Sequence, residues 1–287
     1  MKIQFLGSGS AFVEMSENYQ SNILITKEID EHQYSGSENN TVLLGTDTVT
    51  KRLLFDAGGH ISESLKSQNL QPTDIDAIVI SHAHGDHVHG LEYIGFKTYF
   101  IPEFGTNKPI LIANNQVIDI LWENVLKGTM QHVNGGTLTL DDYFQTTRLQ
   151  PRGSFQFANT EMNLVQVPHV ISDKIEVPSY GMRFEEDGIK IFITGDTQMD
   201  YWRFIGFYET YDCIFQECEF AEYPNSVHTQ YHELQQLPDN FKKKMFLYHY
   251  MLNGKTFAEL EEQVLQDGFG GLVARGQEFD TKEMKNA

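Results

Sequence analysis

Short apolar runs separated by Gly-, Asn- and Ser-rich turns open the chain. Ile3 to Leu6, Ser21 to Thr26, Thr41 to Leu44 and Arg52 to Phe55 have strand length and composition, and their close succession predicts hairpins. Ser62 to Asn69 is a helix candidate. The run Ile75 to Ile80, apolar except for Asp76, predicts a strand buried on both faces that feeds straight into a histidine-rich segment. Further on, Asn115 to Leu126 and Tyr231 to Leu237 read as helical. Asn163 to Val167 and Ile189 to Thr194 read as strands, and Met245 to Tyr248 is the last clear one. Strands first, then helix and strand alternating, then the same again, predict an α/β protein of two stacked mixed β-sheets with helices outside. No repeat, low-complexity block or Pro/Ser-rich linker interrupts this order, so residues 1–287 are expected to form a single domain.

Composition narrows the class. A hydrophobic content of 40% over 287 residues excludes disordered and fibrous chains. No apolar run approaches the roughly 20 residues needed to cross a bilayer. Met1 to Leu6 reads as a strand rather than a leader, so no membrane association and a cytoplasmic location are expected. Cys213 and Cys218 cannot make a disulfide framework and are expected as buried or half-buried thiols. The net charge of −19 argues against a grip on long nucleic acid, which needs a basic stripe to neutralise phosphates. The one dense basic run, Lys242-Lys243-Lys244, reads as a solvated loop edge. A small anion stays in play, because bound metal ions can make one pocket positive inside an acidic protein.

The chemistry concentrates in Ser81 to His87, Ser-His-Ala-His-Gly-Asp-His, which places His82, His84, Asp86 and His87 within six residues. Imidazole and carboxylate are the usual ligands of zinc and similar divalent ions. So tight a cluster cannot serve one tetrahedral centre comfortably, and two centres are more natural. Alternate positions on a turning loop would send His82 and His84 to one ion, and Asp86 and His87 to the other.

This motif resembles the His-x-His-x-Asp-His signature of the metallo-β-lactamase superfamily. Leu54-Phe55-Asp56-Ala57-Gly58-Gly59 before it, and Pro168-His169-Val170, Thr194-Gly195-Asp196-Thr197 and Tyr248-His249-Tyr250 after it, recur in the expected order. The resemblance runs from Phe5-Leu6-Gly7-Ser8-Gly9 to the final strand and implies the αββα sandwich of that superfamily. It also implies two divalent ions, zinc by default and manganese as the second choice. By the same resemblance His169 completes the first site, Asp196 bridges both and His249 completes the second. Asp56 would lie behind the ions and hold ligands by hydrogen bonds.

Two further stretches, Ser179-Tyr180-Gly181-Met182-Arg183-Phe184 and Val227-His228-Thr229 after Glu217-Cys218-Glu219, resemble the ribonuclease Z branch. There the histidine matching His228 protonates the leaving oxygen; read without the resemblance, His228 is a surface residue before a helix capped by Thr229. His32, His60, His89, His132 and His232 match no ligand position and are expected as structural or surface residues. The branch also implies a homodimer. Only 26 residues separate His169 from Asp196, too few for the long arm with which bacterial ribonuclease Z grips transfer RNA.

A short segment there is a property of the ribonuclease Z-like enzymes that cleave cyclic mononucleotides, including the anti-Pycsar phosphodiesterases with which phages erase cyclic nucleotide immune signals. Asn18-Tyr19-Gln20-Ser21-Asn22-Ile23-Leu24, Val227 to Leu234 and Lys244 to Tyr250 resemble that group closely. The resemblance implies hydrolysis of a 3′,5′-cyclic mononucleotide to the linear monophosphate, with Asp86 orienting the attacking hydroxide and His228 as the acid. The alternatives are a ribonuclease Z-type endonuclease, a lactonase or β-lactamase, and a nucleotide-binding protein without catalysis. Tyr93, Phe96 and Trp122 are expected to pack in or on the core rather than to stack on a base.

Overall fold

The computed structural model describes residues 1–30, 48–101, 108–173, 175–223 and 226–285. Two seven-stranded sheets lie face to face. The first runs Glu278–Asp280, Lys2–Gly7, Asn22–Asp30, Thr48–Phe55, Ala77–Val79, Ile110–Asn114 and Gln145–Leu149. Its first four strands pair antiparallel, as the expected hairpins require, and the remaining pairs are parallel. The second sheet repeats the arrangement. Gly271–Leu272, Met245–Tyr248, Cys213–Glu217 and Ile189–Ile193 are parallel neighbours. Tyr180–Glu186, Thr160–Gln166 and Ser154–Phe157 extend it antiparallel.

Between the sheets the Phe5 ring sits 5.0 Å from Phe215 and 5.4 Å from Tyr248, tying the N-terminal strand of one sheet to the centre of the other. Each such buried aromatic contributes about 1.5–3 kcal/mol of hydrophobic stabilisation. Helices cover the outer faces. Tyr201–Thr210, Tyr231–Gln235 and Phe257–Gln266 bury Phe204, Tyr208, Leu234, Leu260 and Val264 against the second sheet. Ile61–Ser67, Gly90–Phe100 and the helical stretch from Asn115 to Met130 cover the first. The last stretch follows the expected helix over Asn115 to Leu126 but widens to a π-type turn at Leu121–Leu126.

Several expectations need correction. Met245–Tyr248 is not the last strand, since Gly271–Leu272 and Glu278–Asp280 each close one sheet. The Ile75 to Ile80 run is buried as expected, with Ala77–Val79 as its regular strand and backbone bonds at Asp76 and Ile80 continuing the ladder, while the Asp76 carboxylate accepts from the Arg52 amide and the Lys51 ammonium, both at 2.8 Å. Lys242 is buried rather than solvated, its ammonium 3.0 Å from Asp239 and 5.8 Å from the Phe269 ring centroid. Thr229 caps no helix; Gln230 occupies that position, and the buried Thr229 hydroxyl donates to the Thr197 carbonyl. The expected strand over 41–44 and His32 lie outside the described residues.

Between His169 and Asp196 the chain forms a two-residue-per-strand hairpin, Ile171–Ser172 with Ile175–Glu176, then the Tyr180–Glu186 and Ile189–Ile193 hairpin. Asp187 and Gly188 close the latter with φ of 54° and 82°, the left-handed pair a two-residue turn demands. No protruding arm exists among the described residues of this segment.

Candidate metal centre

The strands deliver the cluster at their C-terminal ends. Thr48–Phe55 is followed by Asp56, Ala77–Val79 leads to Ser81 and His82, Ile189–Ile193 to Asp196, and Met245–Tyr248 to His249. Asp56 and His249 adopt left-handed backbone, φ 64° and 61°, which turns each side chain sharply out of its strand. Such a conformation in a non-glycine residue costs about 1–3 kcal/mol. It is held by backbone bonds from the Asp56 amide to the Val79 carbonyl, 2.8 Å, and from the His249 amide to the Ser8 carbonyl, 2.7 Å. The short helix Gly85–Val88 carries Asp86 and His87. Its approach depends on Gly58, where a Cβ would stand 2.1 Å from the Asp86 carbonyl oxygen.

The seven residues expected as ligands converge in two groups. His82, His84 and His169 place one ligand atom each within 4.8 Å of one another, and so do Asp86, His87, Asp196 and His249. Asp196 lies between the groups. Its Oδ2 is 3.1 Å from His87 Nε2 and 3.9 Å from His82 Nε2, and its Oδ1 is 3.3 Å from His249 Nε2. Asp86 Oδ2 lies 3.2 Å from His87 Nε2 and 3.3 Å from His249 Nε2.

The opposite edges of the imidazoles are tied down. His87 Nδ1 donates to Asp56 Oδ2 at 2.7 Å, and His169 Nδ1 donates to the Val227 carbonyl at 2.7 Å. The Ser81 hydroxyl donates to Asp56 Oδ2 and therefore accepts from His82 Nδ1, 2.9 Å away. Each Nδ1 thus carries its proton outward, which turns the Nε2 lone pair inward. His84 differs, presenting Nδ1 to the cluster 3.1 Å from His169 Nε2.

The donor set fits divalent cations. His82 Nε2 and Asp196 Oδ1 are buried with no hydrogen-bond partner, and a buried unpaired polar atom costs about 1–3 kcal/mol. Nitrogen lone pairs and carboxylate oxygens crowded at hydrogen-bond distance are what a divalent ion would satisfy. Electrostatics follow the same division. Burial, reinforced by the neighbouring His87, holds the His82 imidazole well below its usual range, and burial takes His169 down to about 4, so both are neutral donors at physiological pH. For His87, burial is outweighed by Asp196, Asp86 and Asp56, which raise it well above, so that without an ion its Nε2 is protonated toward Asp196 and a divalent ion would displace that proton. For Asp86, burial is outweighed by His87 and His249, which keep it ionised below the carboxylate range.

His228 lies beside the cluster. Its ring centroid lies 5.2 Å from that of His169 and 5.1 Å from that of His249, and its Nδ1 is 3.8 Å from Asp196 Oδ2. Its side chain is 23% exposed, against 1–2% for His82, His87 and His249, so it can reach a ligand that those cannot. A cavity of about 240 Å³ lined by Gln198, Tyr223, Ser226 and Gln230 opens beside it.

Glu217 is the residue that sequence reading missed. Fully buried at the end of its strand, it accepts from the Thr197 and Thr229 amides through Oε1, at 3.0 and 2.9 Å. Its Oε2 faces His228 Nδ1 at 3.3 Å and His249 Nδ1 at 3.9 Å. Burial raises the Glu217 pKa, with His228 opposing. For His228 burial is outweighed by Glu217 and Asp196, and its pKa rises to about 9. Among the remaining histidines, His89, His132 and His232 are exposed, and His60 accepts from the Gln20 amide at 3.2 Å.

Two mixed sheets enclosed by helices, with a His/Asp cluster at their strand ends, define a hydrolase of the metallo-β-lactamase fold. The fold superposes on the metallo-β-lactamase fold protein YhfI from Bacillus subtilis with TM-score 0.66 at 16% identity, covering 97% of this chain and 98% of that one. A diphosphatase from the PhnP family gives TM-score 0.69 at 17% identity, with 97% of each chain covered. Residues 31–279 match the family of the anti-Pycsar protein Apyc1. An anti-Pycsar protein Apyc1 from Bacillus phage BSP38 is 31% identical over 224 residues, 76% of this chain and 85% of the relative. The chain belongs to the anti-Pycsar Apyc1 family, as the sequence resemblance implied.

Proposed function

We propose that this protein hydrolyses 3′,5′-cyclic mononucleotides to linear nucleoside monophosphates, and so removes a cyclic nucleotide signal of antiphage immunity. The observation that carries the reading is the placement of His228. It is a partly exposed imidazole, its Nδ1 3.3 Å from Glu217 Oε2 and 3.8 Å from Asp196 Oδ2, at the open edge of a cluster whose donor set fits divalent ions. The relatives' name, anti-Pycsar protein, supports the substrate class.

His82, His84 and His169 would hold one ion and Asp86, His87 and His249 the other, with Asp196 between them. When bound, two divalent ions, zinc by default, supply charge neutralisation of the phosphoryl oxygens and activation of water near neutral pH. Asp86, kept ionised by His87 and His249, orients the attacking water toward phosphorus. The new P–O bond forms as the bond to the leaving ribose oxygen breaks. His228 gives that oxygen its proton, while Glu217 on the Nδ1 side leaves the other ring nitrogen for the substrate. General acid help of this kind is worth about 100- to 10,000-fold.

The net charge of −19 and the short His169 to Asp196 segment count against an RNA endonuclease, and the His228–Glu217 pair has no use in a lactonase. The test is chromatography of products after incubation of the metal-loaded protein with a panel of 3′,5′-cyclic mononucleotides. Conversion to linear monophosphates that EDTA abolishes is expected; a protein shown to hold two metals that opens no cyclic nucleotide overturns the substrate assignment.

A further inference from the structure

The chain has six arginines in a protein of net charge −19, and three of them line one cavity of about 410 Å³ on the outer side of the second sheet. Arg183 projects from the Tyr180–Glu186 strand beside Asn163, its register partner on Thr160–Gln166. Arg203 and Phe207 come from the Tyr201–Thr210 helix, four residues apart and so on one face. Arg152 comes from the exposed turn after Gln145–Leu149, where its backbone is left-handed at φ 63°. None of these residues belongs to the His/Asp cluster or to the cavity beside His228.

The charge balance inside the cavity is specific. Arg203 is spoken for, with Glu176 at 2.9 Å and Asp200 at 3.8 Å. Among the described residues Arg183 reaches only the Tyr211 hydroxyl, 3.4 Å away, and Arg152 pairs with no carboxylate. Two guanidinium groups therefore line the cavity with no paired carboxylate among the described residues, where an acidic protein has carboxylates to spare. Guanidinium forks match phosphate oxygens bidentately, and a phosphate monoester carries about −1.5 to −2 at pH 7, the charge these two arginines leave uncompensated. The amide side chains of Asn163 and Gln166 add neutral hydrogen-bonding groups, and the half-buried Phe207 ring adds an apolar wall. The volume exceeds that of a bare phosphate and falls within the roughly 300–1,000 Å³ of small-molecule sites, leaving space for an organic group.

We propose that this arginine-lined cavity is a second ligand site, separate from the catalytic cluster, that binds a phosphate monoester of the nucleoside monophosphate class. Arg152 and Arg183 grip the phosphate, and the organic part lies toward Phe207.

The test is calorimetric titration of the full-length, metal-loaded protein with AMP, inorganic phosphate and adenosine. AMP is expected to bind at a site that Arg152→Gln and Arg183→Gln each weaken about tenfold or more. Inorganic phosphate should compete with AMP there, and adenosine should not. Both variants should keep wild-type kcat for phosphodiester hydrolysis, which separates this site from the catalytic one. Arg152 is exposed, so Arg152→Gln folds even if Arg183→Gln does not. An AMP isotherm unchanged in both variants overturns the site. Inorganic phosphate binding as tightly as AMP overturns the nucleotide class.

Discussion

Glu217 Oε2 lies 3.3 Å from His228 Nδ1, and its other oxygen is fixed by the Thr197 and Thr229 amides. A carboxylate held there is expected to orient the imidazole and to favour its charged form. Glu217→Gln keeps the shape and removes the charge. Its expected effect is a fall in kcat of about tenfold or more with little change in KM, because the interaction serves the leaving group and not binding. His228→Ala should lose about 100- to 10,000-fold, and Glu217→Gln added to it should cost almost nothing further. Steady-state kinetics of the two single variants and the double variant measure this; additive losses contradict the pairing.

Gly58 is required for space. A methyl group there would meet the Asp86 carbonyl oxygen at 2.1 Å, backbone against side chain with no flexible atom to yield. Gly58→Ala should displace the Gly85–Val88 helix, cost about 1–3 kcal/mol of stability and reduce bound metal. Thermal melting and metal analysis of the purified variant check both effects.

The cysteines should be silent. Burial pushes the Cys213 and Cys218 thiols far up, with Asp212 adding to the first and Glu217 and Glu219 to the second. A thiol-reactive dye should label neither in the folded protein and both after denaturation. Labelling of native protein at the rate of a free thiol would contradict the packing.

Chelation should destabilise as well as inactivate. The inward-facing lone pairs of His82 and His169 and the Asp196 carboxylate lose their counterparts on metal removal. EDTA treatment is therefore expected to lower the melting temperature, and stoichiometric zinc to restore it. Asp196→Asn, which weakens both groups at once, should bind less metal than any single-histidine variant.

Much of this site was legible because its chemistry is local in sequence. Four candidate ligands fall within Ser81 to His87, and the others sit in short segments that the family resemblance picks out in order. Glu217 stands in the Glu217-Cys218-Glu219 stretch that the resemblance includes, but nothing in the sequence gives it a role. A lone carboxylate at the end of the buried Cys213–Glu217 strand gains meaning only when folding brings His228 to it. The closing strands escaped for a different reason: Gly271–Leu272 and Glu278–Asp280 are too short for any period to register, and tertiary pairing alone makes them strands. The Phe257–Gln266 helix did carry a signal, the Thr256 and Glu259 capping box, that pattern reading passed over. The arginine cavity draws on a turn, two strands and a helix far apart in sequence, so composition hides it.

The most direct test of the account compares wild type and His228→Ala on two phosphodiesters, a 3′,5′-cyclic mononucleotide and bis(p-nitrophenyl) phosphate. The ribose oxygen needs a proton to leave, whereas p-nitrophenolate does not. His228→Ala is expected to lose cyclic nucleotide turnover by about 100-fold or more and to keep most of its hydrolysis of the activated ester. Equal losses on both, or none on either, would contradict it.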